Sequence, residues 1–376
     1  MIRHTLITML LSLTPFFSIS QNDFAFHFFN QFEQDDNILF SPTSILAAFS
    51  IAYEGSEGET KKAFQKTFGF SETNDDFILQ LNELKKYAEI NNAVWIQTGY
   101  KILDKYINSV SKKHNAIIGH TDFLNHPDES AKKINNWIKE ATNGMISKMV
   151  TPADVKAFTL AIVNAIYFKQ SWKKPFDKDV TKEEEFTNLD GSTSKTPLMF
   201  NRGMYMAYEN EREQIIRIPY ADGKTSMIII LPSKMKNHKL DKKTYQRLKL
   251  NSYNQEVKLH LPRFTFETKT FELKNQLIKL GLGSAFSDRA NFGRMRTQKD
   301  LKIGTALHKA KIIVNEEGTE AAAATVIGMV RTTSAIHIPN PVMEMRIDKP
   351  FYYFIQEDST ETILFMGKMN QLKTMD

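Results

Sequence analysis

Cysteine is absent from this 376-residue chain. That excludes disulfides, a thiolate nucleophile and any Cys-ligated metal. Secreted proteins need disulfides mainly when their cores are small, and a chain of this length buries a large core, so the absence leaves the compartment open. The signatures of nucleotide and hydrolase chemistry are missing too: no G-x-G-x-x-G, no G-x-x-x-x-G-K-[ST], no G-x-S-x-G and no H-E-x-x-H. The nine histidines are scattered without metal-ligand spacing, and a lone one such as His308 reads as a hydrogen-bonded core residue. No cofactor or metal is expected, and nothing favours an enzyme. No Asn-x-Ser/Thr acceptor occurs, so N-glycosylation is not expected. Repeats, low-complexity tracts and Pro/Gly/Ser linkers are also lacking, which makes a single domain over 21–376 the simplest partition.

What is present is an ordinary globular composition, 41% hydrophobic and 24% charged, with 27 phenylalanines. The net charge of +6 and pI near 9.0 permit attraction to polyanions without demanding it, because acids are interleaved with the bases. No nucleic-acid or membrane partner is indicated, and a monomer is expected. The first residues, MIRHTLITMLLSLTPFFSIS, have a short basic start, an apolar run from Leu6 to Phe17 and small residues before Gln21. They read as a signal peptide over 1–20, cleaved at Ser20-Gln21, and hence as secretion to an extracellular setting. The alternative is an uncleaved first helix, against which Pro15 argues.

Helices gather early and strands late, which indicates α+β rather than a doubly wound fold. Asn22-Asp23 is placed to cap a Phe-rich helix through Phe32. SPTSILAAFSIAYEG has Ser41 as N-cap, Pro42 in the first turn and Gly55 as stop. AKKINNWIKEATNG puts Ile134, Trp137, Ile138 and Ala141 on one face. SMIIILP, Ser226 to Pro232, reads as a strand buried on both faces. EVKLHLPRFTF alternates with Val257, Leu259 and Leu261 on one side. Phe351–Ile355 and Ile363–Met366 flank a polar turn as a hairpin. One basic stretch stands out, with Lys234, Lys236, Lys239, Lys242, Lys243, Arg247 and Lys249 against the single acid Asp241. It is either a weak glycosaminoglycan site or, as the plainer reading, a solvated loop leading into a short helix.

The segment NEEGTEAAAATV, Asn315 to Val326, sets a run of alanines between β-branched strands. With NILFSPTSI (37–45), TNGMI (142–146), VNAIYFKQSW (163–172), HLPRF (260–264), LHKAKIIVNEEGTEAAAATV (307–326), DKPFYYFI (348–355) and ILFMGKM (363–369) in this order, the chain resembles the serpin family from about Asn22 to Asn370. The resemblance implies a fold of three β-sheets with eight or nine helices, a metastable native state and an exposed reactive loop at about 318–340. It also implies a suicide mechanism. A protease cleaves the loop and is acylated, the hinge (316–325) inserts as a new strand of one sheet, and the trapped protease is carried along and distorted. The hinge residues are Glu316, Glu317, Gly318, Thr319, Glu320, Ala321, Ala322, Ala323, Ala324 and Thr325, and within the inserting part the single charge, Glu320, falls on the outward face. Alternation turns Thr319, Ala321, Ala323 and Thr325 to the core, and Gly318 is read as the residue that lets the chain turn. By the same resemblance Ser41, Ser44, Asn164 and His308 form a polar cluster beneath the sheet that opens, and Trp172 and Glu316 sit at its top.

The family count puts the scissile residue fourteen after Gly318, at Thr332, giving Thr332-Thr333. A hinge shorter by one selects Arg331-Thr332, which the chemistry of an acidic protease pocket favours. The region Phe70 to Asn91 is short and carries Glu72, Asp75, Asp76 and Glu83, so heparin activation there is not expected. The leading expectation is an irreversible inhibitor of a trypsin-like serine protease. The alternatives are a non-inhibitory carrier, chaperone or storage protein, or an inhibitor of an elastase-like or cysteine protease.

Overall fold

The computed structural model describes residues 16–32, 35–156, 158–298, 300–319 and 342–373. The reactive-bond candidates Arg331, Thr332 and Thr333, and hinge residues Glu320 to Thr325, lie outside the described residues, as does most of the expected signal peptide.

Two apolar hairpin strands, Phe351–Glu357 and Thr362–Met369, are buried at every position. Such strands need cover on both faces. They lie next to the edge strand of a nine-stranded sheet that runs from Ile38–Phe40 through this hairpin to Thr225–Pro232 and Glu213–Pro219, then by the long strand Thr193–Glu209 to Tyr253–Pro262 and Met343–Arg346. The long strand is shared: its first part pairs with Lys182–Thr187 and Tyr253–Pro262, its last with Glu213–Pro219. Val257, Leu259 and Leu261 are fully buried as the alternation requires.

A further layer faces this sheet and is divided lengthwise. On one side Ile117–Thr121, Glu89–Gln97 and Leu160–Tyr167 make a three-stranded unit. On the other, Phe264–Glu267 pairs with Lys311–Val314, and Phe271–Glu272 with Leu307–His308. These two short pairs are one ribbon interrupted at Thr268 and Ala310, whose backbone and hydroxyl groups bond each other across the break. Between the layers runs the helix Pro42–Gly55, in which every residue but Glu54 is buried, as expected of a helix that is apolar all round. The side chain of Ser41 accepts from Ser44 N–H and caps it. The helix Pro127–Ala141 covers the outer face of the divided layer. Its Ile134 and Ile138 pack on Ala93, Trp95, Ala161 and Val163 as a second core, and the chain leaves it through Asn143 and Gly144 in left-handed conformation.

Nine α-helices occur among the described residues. The first departs from expectation. It spans Phe16–Phe29 rather than starting at Asn22-Asp23 and reaching Phe32, and it crosses the expected cleavage point. Asn22 does not cap it: its Nδ2 donates to the Glu361 carbonyl at 2.9 Å, tying the helix to the hairpin turn. Phe24, Phe26, Phe28 and Phe29 are buried against the helix Pro42–Gly55 and the hairpin.

Gly367, in the centre of Thr362–Met369, tests how tightly these layers pack. A Cβ there would lie 2.5 Å from the Ile38 carbonyl oxygen and 2.4 Å from Tyr353 Cζ. Overpacking of this kind costs about 1–3 kcal/mol, so Gly367→Ala should lower the unfolding free energy by about that much in urea melts. An unchanged midpoint would refute the packing argument.

Candidate functional site

The divided layer is bridged at its top by the start of the hinge. Val314 pairs with Thr319, and Gly318 and Thr319 pair with Ser171 and Gln170. The chain therefore rises along Lys311–Val314, turns, and begins to descend between the two halves. The turn is made by Asn315, whose Oδ1 accepts the N–H groups of Glu317 and Gly318 at 3.0 and 3.1 Å. Gly318 is needed for a different reason than expected. It is not in left-handed conformation; a Cβ on it would lie 2.2 Å from the Gln170 carbonyl oxygen and 2.7 Å from Ser171 Cα. Glycine is required there because two backbones meet.

Aromatic and charged groups hold this bridge. The Trp172 ring stacks on Tyr220, centroids 4.6 Å apart and nearly parallel. Trp172 donates from Nε1 to the Asn315 carbonyl at 2.9 Å and from its backbone N–H to the Glu317 carbonyl at 2.8 Å. The Tyr220 hydroxyl lies 2.6 Å from Thr319 Oγ1, and burial pushes the phenol's pKa up, so it stays a neutral hydrogen-bonding partner. Thr319 is 2% exposed and Glu316 3%. The Glu316 carboxylate accepts from Thr181 Oγ1 at 2.9 Å and faces Arg263 at 3.5 Å, while Glu317, on the outer side, pairs with Lys178 at 2.6 Å. Thr319 faces inward, against the Tyr220 hydroxyl.

Below the bridge no strand pairing joins the two halves among the described residues. Among the described residues Leu160–Tyr167 bonds only to Glu89–Gln97 and presents its other edge to the ribbon across a slot. A small cavity directly beneath Thr319 is lined by Ile166, Phe168, Ile312 and Phe365. A second, lower, is lined by Ser44, Ile162, Asn164, Ala306, Leu307 and His308. Ser41, Ser44, Asn164 and His308 are brought together there. His308 Nε2 accepts from Ser41 N–H at 3.2 Å, which puts the ring proton on Nδ1. Asn164 Nδ2 donates to Asn92 Oδ1 at 2.6 Å. Among the described residues, Asn164 Oδ1 and Ser44 Oγ are buried with no hydrogen-bond partner. Trp172 and Glu316 stand apart from this cluster, at the top.

Tyr220, Asn315, Arg263, Thr181 and Lys178 were not singled out by sequence reasoning. Asn315, three residues before Gly318, carries a readable Asx-turn signal. The other four have none, because their partners are distant in sequence.

The basic stretch folds as a short 3-10 turn at Met235–Asn237 and the helix Lys242–Asn251. Arg247 is engaged by the fully buried Glu213 carboxylate at 2.6 Å, Lys242 by Asp23 at 2.7 Å and Lys249 by Glu361 at 3.0 Å. Lys234, Lys236, Lys239 and Lys243 remain exposed. The acidic Asp75, Asp76 and Glu83 lie on the helix Asp75–Leu84, in the region where a basic helix was not expected.

A family model described as Serpin (serine protease inhibitor) matches residues 19–372. A serpin-like protein of Methanosarcina acetivorans is 33% identical, covering 93% of this chain and 85% of that protein. Neuroserpin of Homo sapiens is 31% identical over 91% of this chain and 88% of its own. Among solved structures, thyroxine-binding globulin in complex with thyroxine superimposes with a TM-score of 0.81 at 28% identity, covering 95% of this chain and 99% of that one. A cleaved serpin, Serpin 42Da, does so at 0.81 and 27%, covering 96% and 97%. The chain belongs to the serpin family, whose members are in general protease inhibitors, and it has the serpin fold.

His308 makes a pH prediction. Burial pushes its pKa down to about 3, whereas an unfolded histidine titrates near pH 6.5. The folded ring stays neutral while the unfolded chain takes up a proton, so its contribution to stability is complete above about pH 6.5 and is lost as pH falls toward 3. Thermal melts between pH 7.5 and 4 should show wild type losing more stability than His308→Gln. Parallel pH curves would exclude this coupling.

Proposed function

We propose that the protein is an irreversible suicide-substrate inhibitor of a trypsin-like serine protease. The observation that carries this reading is the seating of Gly318-Thr319 at the head of a slot whose edge along Leu160–Tyr167 is unpaired among the described residues. The bait bond is Arg331-Thr332. The protease serine attacks the Arg331 carbonyl carbon, the Thr332 amine leaves with a proton, and Arg331 remains esterified to the enzyme. The freed hinge then descends from Thr319 into the slot, where unmet backbone groups on both edges offer hydrogen bonds worth about 1 kcal/mol each. The alanines Ala321 to Ala324 fit this path because the cavity below Thr319 is small and lined by large apolar side chains.

Export follows from the leader over 1–20, so the intact mass of protein recovered from medium should begin at Gln21. A mass that includes residue 1 would remove the secretion reading. Polyanion binding has weaker support. It would rest on Lys234, Lys236, Lys239 and Lys243, with Lys242 and Arg247 already committed to Asp23 and Glu213.

Incubation with trypsin should give a covalent complex that survives a denaturing gel, with mass spectrometry locating cleavage after Arg331. Elastase and chymotrypsin should give less. Thr319→Arg forces a charge into the buried site beside Tyr220, at a cost of several kcal/mol. That variant should be cleaved as a substrate without forming complex. Cleavage with no complex for wild type, across serine and cysteine proteases, would overturn inhibition in favour of a non-inhibitory carrier or storage role.

A further inference from the structure

We propose that the open cleft on the outer side of the ribbon, beside its interruption, is a binding site for a small aromatic carboxylate or sulfonate, held between the two halves of the divided layer. The site goes beyond the inhibitor reading and does not depend on it, since its walls stand in the uncleaved chain.

The walls come from both halves. The segment that leads from the helix Pro127–Ala141 to the strand Leu160–Tyr167 supplies Lys148, Met149 and Phe158, and the ribbon supplies Lys269, Thr270 and Leu307. The space is about 750 Å³, within the usual range of small-molecule sites. Strand alternation separates it from the inner cavity: His308 faces that cavity, while its neighbours Leu307 and Lys309 line the cleft. Lys309, with a side chain 14% exposed, ties the two sides together. Its Nζ donates to the Lys148 carbonyl at 3.0 Å and pairs with Glu267 at 2.7 Å. Met149 and Phe158 are 7% and 5% exposed and belong to the second core, so the apolar wall is fixed by packing.

The charges set the class of ligand. Two acids share the cleft, and each has a hydroxyl partner. Asp154 accepts the backbone N–H and the hydroxyl of Thr151, both at 2.7 Å, and Glu272 accepts the Thr305 hydroxyl at 2.6 Å. Glu267 is shared by Lys309 and Lys311. Lys148 and Lys269 are exposed and form no ion pair among the described residues. Two ammonium groups without a carboxylate thus stand over a wall made by Met149, Phe158 and Leu307. A flat ring lies on that wall, the ammonium groups meet its anion by charge-assisted hydrogen bonds, and their cationic heads also suit the face of the ring. A ligand so held touches both halves at once.

The test uses the full-length uncleaved protein, with naphthalene-2-carboxylate and naphthalene-2-sulfonate as probes and the neutral naphthalene-2-methanol beside them. Calorimetry should show one site for either anion, weaker binding as sodium chloride rises from about 0.05 to about 0.5 M, and far weaker binding of the alcohol. Lys148→Gln with Lys269→Gln should lose about five- to thirty-fold in affinity, the scale of two exposed ion pairs. Lys139→Gln, at an exposed lysine outside the cleft's lining, should lose nothing. Lys148→Glu with Lys269→Glu should reverse the preference toward naphthalene-2-methylammonium. Both side chains are exposed, so all these variants should melt close to wild type without ligand. Hydrogen exchange should show the carboxylate slowing amides in 148–158 and in 304–309 together. The assignment is wrong if neither anion binds, if carboxylate and alcohol bind alike, if the lysine variants bind as wild type does, or if protection is confined to one side. None of these outcomes touches trypsin trapping, which judges the inhibitor reading separately.

Discussion

The strand Leu160–Tyr167 is hydrogen-bonded on one edge and not on the other among the described residues. A buried, half-paired strand is an expensive arrangement, since unmet backbone groups cost more than paired ones return. Most other features of the molecule can be understood from that edge. The large sheet and the helix Pro42–Gly55 form a floor that is buried nearly throughout. The floor keeps the two halves of the facing layer in place without requiring them to close on each other.

What keeps the halves apart differs along the slot. At the top, the Trp172–Tyr220 stack and the buried Glu316 carboxylate hold the first hinge residues as a wedge. In the middle, Asn164 and Ser44 carry polar atoms without partners among the described residues, while His308 is kept neutral by burial and oriented by the backbone N–H of Ser41. Outside, the helix Pro127–Ala141 clamps the three-stranded half through its own apolar core. The stability of this fold is therefore uneven: tightly packed floor and flanks surround a seam whose hydrogen-bonding capacity is unspent.

Membership of the family was legible before any coordinates, because blocks such as NILFSPTSI and DKPFYYFI are local and their order is specific. The helix that starts at Ser41 was readable from its cap and proline, and the buried strands from their apolar runs, since these signals act over a few residues. The first helix was misplaced because Asn22 looks like a cap in sequence, whereas its amide serves the distant Glu361 carbonyl. The polar cluster was named through resemblance. That Asn164 Oδ1 and Ser44 Oγ lack partners could not be read, because satisfaction of a hydrogen bond depends on what lies opposite.

The sequence by itself determined the family, the run of small residues from Ala321 to Ala324 in the hinge, and the absence of thiol, metal-site and nucleotide-binding signatures. These are properties of residue types and their order. The tertiary structure decided why Gly318 is glycine, namely a backbone contact with Gln170 rather than a turn. It also decided that Tyr220 receives Thr319, and that acids on a remote helix and a remote strand, Asp23 and Glu213, neutralise part of the basic stretch. Each of these depends on groups far apart in the chain, brought within bonding distance only by packing.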